Sequence, residues 1–175
     1  MSRYAIAAAL VAATLAARPA RAEIFVNVPG IPGDVTAAGH EHEIETLSVQ
    51  FGGGQVVPKS GAKLCAQPSA KTQLSAVVIS KLSDKASPKL FMAAAQGTVF
   101  PQVTITIATQ IAGAFVNLDQ YQLSDAFISS YTTSSGGQRP SEVVSFTFRS
   151  LQLTHFDPVD PPQSATWAFC GRFMI

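Results

Sequence analysis

The sequence predicts a mostly β protein, an antiparallel β-barrel of two packed sheets with one flanking α-helix at about Ser87–Gln96. Three observations predict it. Runs with the two-residue alternation of half-buried strands recur along the chain, separated by clusters of Gly, Pro, Ser and Asp. One segment alone in the body of the chain has helical spacing and helix punctuation. That helix, about ten residues long, cannot bury its apolar face alone and needs a sheet to lie on.

The first residues stand apart from this pattern. A short basic start at Ser2-Arg3-Tyr4 precedes an apolar run, Ala5–Ala17, that is too short to span a bilayer comfortably, and Ala20-Arg21-Ala22 forms an A-x-A cleavage site. Residues 1–22 therefore read as a secretory signal peptide, with residues 23–175 as one domain. A core helix is the competing reading, but the run offers no polar face for a globular helix to show. Cleavage before Glu23 removes Arg3, Arg18 and Arg21, after which acidic side chains outnumber basic ones. Such a balance gives no electrostatic reason to bind nucleic acid. No later apolar run is long enough to cross a membrane, so the mature chain is expected secreted or periplasmic and off the membrane.

In order, Glu23–Val28 alternates as a first strand, and Pro29–Asp34 is a dense turn signal. Glu43–Phe51 is a second strand, with Leu47, Val49 and Phe51 on one face. Gln55–Lys71, with Pro58 and Pro68, is a loop long enough to be a contact element. Thr72–Leu82 is a third strand, rich in β-branched residues. Ser87 then reads as the helix N-cap, with Pro88 at the first helical position. Leu90, Phe91, Ala94 and Ala95 form its apolar face, and Gly97 ends it. Gln102–Thr109 alternates. Ala114–Leu118 and Gln120–Tyr131 follow as one bent strand or a pair, and Thr132–Pro140 is a loop. Ser141–His155 is long, and its apolar parity changes between Phe148 and Leu151, which calls for a bulge or bend near Arg149-Ser150, or a crossing between sheets. Ala165–Met174 is the last strand.

Candidate chemistry is sparse. His40-Glu41-His42-Glu43-Ile44-Glu45 is the one cluster with metal-ligand character, but its spacing matches no specific signature, and a solvated loop running into a strand explains it equally. Ser129, Ser130, His155 and Asp157 supply the residue types of nucleophilic catalysis without a G-x-S-x-G elbow. Gly52–Gly54 leads into a proline-containing loop, not a helix, so it is no phosphate cradle. Trp167 and the phenylalanines read mostly as core. No catalytic, cofactor-binding or metal-binding residue is assigned, and no cofactor. Cys65 and Cys170 both survive cleavage. A disulfide and two buried thiols remain equally open, because their separation is not fixed by the sequence.

The segments IFVNVPGIPGDVT, HEHEIETLSVQFG, DKASPKLFMAAAQG followed by PQVTITI, and YQLSDAFISSYTTSSGGQRPSEVVSFTFRSLQL, in this order, resemble the haemolysin-coregulated protein (Hcp) family, the tube proteins of the bacterial type VI secretion system. The likeness covers about Ile24 to Phe169. Its most specific parts are Asp84–Phe91 and Leu123–Glu142. The resemblance implies a β-barrel with a flanking helix, a homo-oligomeric, hexameric ring, and rings stacked into a tube that carries effectors. It implies no catalysis and no cofactor, and partners among type VI secretion components. It also implies that the long loop, here roughly Gly52–Lys71, contacts neighbouring subunits or rings. The leader departs from the family pattern, since tube proteins are usually made without one. An exported binding or carrier module on the same fold is the alternative it raises.

Overall fold

The computed structural model describes residues 22–55, 72–111, 113–157 and 159–168. The expected leader, most of the expected long loop, and Cys65 and Cys170 with their possible disulfide lie outside the described residues. The strands in chain order are β1 (Ala22–Asn27), β2 (Ile44–Thr46), β3 (Ser48–Gln50), β4 (Gly53–Gln55), β5 (Thr72–Leu74) and β6 (Val77–Leu82). The helix α1 (Ser87–Gln96) comes next. It is followed by β7 (Val99–Ile111), β8 (Ala114–Ser134), β9 (Ser141–Thr147), β10 (Ser150–His155) and β11 (Gln163–Ala168).

Nine of these strands form one antiparallel sheet with the path β2-β1-β7-β8-β9-β6-β3, and β10 and β11 extend it from the first half of β8. The expected barrel of two packed sheets is not what the ladders build. The path is open, and no ladder joins β2 to β3. The reason is local. Glu43–Phe51 does not run as one strand but breaks at Leu47, which is 53% exposed and whose N–H bonds the Ser80 carbonyl. Its first half pairs β1 and its second half pairs β6, so the two ends of the path are consecutive in the chain.

A single corner runs across the middle of the sheet. In β9 and β10 burial passes from Phe146 and Phe148 to Leu151, a change of parity at Arg149. The expected bend is therefore present, and its partners share it. In β8 burial steps from Leu123 to Ala126, around Asp125, whose φ is 47°. In β7 it steps from Phe100 to Val103, around Pro101. The flanking pairs Phe100↔Ala126, Gln102↔Ser124, Phe127↔Thr147 and Ser124↔Ser150 place Pro101, Asp125 and Arg149 opposite one another in a row. Pro101 has no N–H to give a ladder, which suits it to such a position.

The helix occupies the expected residues and ends on Gly97 in the left-handed conformation at φ 63°. Two details differ. The cap position is Ala86, without a side-chain cap bond, so Ser87 and Pro88 are the first two helical residues. The buried face is Ser87, Leu90 and Ala93, whereas Phe91 is 55% exposed and reaches only the edge of the Tyr131 ring. Leu90 and Ala93 join Val77, Ile79, Ile105, Leu123, Ile128, Val144 and Phe146 in one core, against which Trp167 is partly buried.

Candidate functional site

Strand alternation places Val77, Ile79 and Lys81 of β6 on the buried face, and Glu142, Val144 and Phe146 of β9 on the same side. Lys81 and Glu142 are directly paired across the ladder, at 0% and 2% exposure. Two charges on apolar stripes need partners, because an unpaired buried charge is very costly. The three N–H groups of the Lys81 Nζ are shared among four oxygens: Glu142 Oε2 at 2.9 Å, Asp84 Oδ1 at 2.8 Å, Ser87 Oγ at 3.1 Å and the Leu82 carbonyl at 2.9 Å. The Ser87 hydroxyl donates to Glu142 Oε2 at 2.8 Å and accepts from the Asp84 N–H at 2.9 Å. This recruitment explains why Ser87 does not cap the helix. Asp84 Oδ1 also accepts from the Ala86 N–H at 2.9 Å, so it orders the turn into α1.

The electrostatics follow. Burial pushes the Glu142 carboxyl up, but hydrogen bonds from Lys81, Ser87 and Tyr131, with the Lys81 charge, outweigh it and hold the group below the usual carboxylate range. The Tyr131 hydroxyl, partly buried and bonded to Glu142, is pushed up to about 12. The cluster thus ties β6, β8, β9 and the start of α1 together. The sequence reading missed it. Its signal was present as one charged residue on the apolar parity of each of two strands.

A second polar feature is the segment after β1. His40, 7% exposed, stacks on Phe25 with ring centroids 4.2 Å apart, meets Phe115 edge-on, and pairs its Nδ1 with Glu43 Oε2 at 2.8 Å. Gly33 packs so tightly against the backbone of Glu43 and Ile44 that a Cβ there would collide with both. Lys85 pairs with Asp34 at 3.6 Å, and Lys89 Nζ donates to the Gly30 carbonyl at 3.2 Å, which tether this segment to α1. Of the cluster from His40 to Glu45, only His40 and Glu43 are thus joined by their side chains. Glu41 instead accepts backbone N–H bonds, its own and that of Gly39, which lower its carboxyl pKa. Among the described residues no three metal-ligating side chains converge.

The remaining candidates are dispersed. His155 Nδ1 lies 2.8 Å from Asp119 Oδ1 on the surface. Ser129, on the far side of the Asp125 corner, donates to the Ser145 carbonyl. Asp157 accepts the Val159 and Asp160 N–H groups, which lower its pKa. Gly53 and Gly54 are strand residues in the β4–β5 ribbon. Among the described residues no helix is long and apolar enough to cross a membrane.

On the outside, large apolar side chains stand in solvent on regular elements. Leu47 and Leu82 line a cleft of about 200 Å³ with Asp34, Glu45, Asp84 and Arg139. Phe91 and Met92 on α1 and Val99 on β7 are exposed as well. Among the described strands β11 is laddered to β10, and it contains neither a charged residue nor a proline.

Comparison with known proteins agrees with this architecture. Residues 25–155 match the family model described as type VI secretion system effector, Hcp. No curated protein matches. Among solved structures, Hcp1 from Salmonella typhimurium superposes with a TM-score of 0.70 at 22% identity, covering 85% of this chain and 95% of that one. A type VI secretion system effector from Yersinia pestis gives 0.68 at 20% identity, covering 83% and 99%. The secreted protein Hcp3 from Pseudomonas aeruginosa gives 0.57 at 23% identity, covering 84% and 99%.

Proposed function

Because this chain belongs to the Hcp family of type VI secretion effectors, we propose that it is a structural, non-enzymatic tube protein that self-assembles into closed rings, hexameric as the resemblance implies, which stack and carry effectors. The observation that carries the reading is the match of residues 25–155 to the Hcp family model. The exposed Leu47, Leu82, Phe91 and Met92 add apolar surface of the type found at subunit contacts.

Light scattering on purified protein tests it. A mass near six subunits is expected, and a strict monomer at high concentration would overturn ring formation.

The basic start, apolar run and A-x-A site of residues 1–22 favour a second reading, an exported binding or carrier module that acts outside the cytoplasm without building the tube. In that case the secreted or periplasmic protein begins at Glu23 by N-terminal sequencing and stays monomeric.

A further inference from the structure

The core is apolar nearly throughout. Among the described residues its buried ionisable side chains are His40, Lys81 and Glu142. Two of the three sit together where α1 joins the sheet. We infer that the Lys81–Asp84–Ser87–Glu142 cluster is an acid-sensitive lock on helix α1: protonating Glu142 releases the helix from the sheet while the β7–β8–β9 ladders stay formed.

The geometry concentrates the effect at one place. Glu142 is faced by Lys81 from β6, Tyr131 from β8, Ser87 from α1 and, across the Lys81 ammonium, Asp84 from the turn before α1. The neighbouring charges are committed elsewhere, Lys85 to Asp34 and the Arg139 Nε to the Ser83 carbonyl. When Glu142 takes up a proton, the fully buried ammonium loses one of its two counter-charges, and the Ser87 hydroxyl at the first turn loses its charged acceptor. Both losses fall on the start of α1. The helix is otherwise held by the buried Leu90 and Ala93, the partly buried Ala94, the Phe91 ring against Tyr131 and the Lys89 bond to the Gly30 carbonyl, with Met92 in solvent. The β7–β8 and β8–β9 ladders contain no buried charge apart from Glu142 at the far end of β9. The sign follows from the depressed pKa of Glu142: the stabilisation is complete above the ordinary carboxylate value and is lost as pH falls through the lower folded-state value.

The other buried ionisable side chain, His40, pairs with Glu43 and clamps the segment after β1 onto Phe25, away from this cluster. Any consequence for assembly rests on the proposed ring, with the Phe91–Met92 surface leaving its place when α1 undocks. The lock itself does not need the ring.

Amide hydrogen exchange on the full chain, corrected for intrinsic rates, tests it. At about pH 3, below the ordinary carboxylate range, protection of the Leu90–Gln96 amides is expected to fall at least about tenfold relative to amides of Ile105 and Leu123. Glu142→Gln should produce the same selective loss at about pH 7. The doubly apolar variant Lys81→Met with Glu142→Leu, which removes the cross-strand charge pair, should flatten much of the pH response of α1. Equal loss of protection in α1 and in the β7–β8 amides at low pH, or unchanged α1 protection in Glu142→Gln, would overturn the inference. A monomeric protein that shows the selective loss would refute the ring and leave the lock standing.

Discussion

Arg149 Nη1 lies 3.2 Å from Asp125 Oδ2, across the row where β8 and the β9–β10 segment both change the face they bury. Both side chains are half exposed. The ion pair therefore marks the corner more than it makes it, since exposed pairs are worth about 0–1 kcal/mol. The corner itself is made by the backbone of Asp125 at φ 47° and by the parity of the apolar residues on either side.

Arg149→Ala should then cost less than about 1 kcal/mol in urea unfolding. Asp125→Val should cost about 1–3 kcal/mol, because a β-branched residue is poorly suited to positive φ. Equal costs for the two would show that the ion pair, not the backbone, sets the corner.

Lys81→Ala should be among the most damaging single changes in the described part of the chain. It leaves two nearly buried carboxylates, Asp84 and Glu142, without their ammonium, a loss of about 3–5 kcal/mol by analogy with other broken buried pairs. The Lys81→Met with Glu142→Leu double variant should cost clearly less than the sum of its single changes, since it removes both cross-strand partners together. Thermal or urea unfolding of the parent protein, Lys81→Met, Glu142→Leu and the double variant measures the difference.

At the alkaline end, Tyr131 gives the opposite sign. Its phenol is raised, by burial first and by the adjacent Glu142 second, to about 12. The folded state thus holds this proton more tightly than the unfolded chain. Its contribution is complete below the ordinary tyrosine value of about 10 and is lost as pH rises from there toward 12. Tyr131→Phe should remove that part of the alkaline slope, as read by unfolding at a series of high pH values.

Gly33→Ala should cost about 2 kcal/mol or more, because the added methyl meets the backbone of Glu43 and Ile44, which cannot rotate away as a side chain could. The substitution should also loosen the His40 stack on Phe25, seen as faster exchange of the His42 and Glu43 amides, whose N–H groups bond Val35 and His40 carbonyls.

Much of the fold was legible in local pattern. The helix limits, its Gly97 stop, and the parity change at Arg149 all come from spacing along one strand or one helix. What was not legible depends on register between distant segments. The parity change in β7 and β8 has no obvious meaning until Pro101, Asp125 and Arg149 are set side by side. Ser87 has the right chemistry for a cap, but its hydroxyl is claimed by Lys81 and Glu142, which come from two other strands. Phe91 and Ala95 suit an apolar face by spacing, yet the sheet takes Leu90 and Ala93. An open path in place of a barrel followed from one residue, Leu47, at which a single alternating run changes partner. The family likeness was read from the order of segments, and the match over residues 25–155 bears it out.

The pairing order also sets a timetable for synthesis. Among the described strands β1 leaves the ribosome first, yet of its two neighbours the long one is β7, whose residues follow only after the helix is made. The strand β6 likewise waits for β9, its main ladder partner. The ladders β1–β2, β4–β5, β7–β8, β8–β9 and β10–β11 join strands consecutive among those described, whereas β1–β7 and β6–β9 join distant ones. The nascent chain therefore carries one open edge on each of β1 and β6 until β7 and β9 emerge, and closing such distant pairings is slow. A growing polypeptide in that condition stays open for a long stretch of its translation, which is the state that a translocation channel accepts and a chaperone can hold.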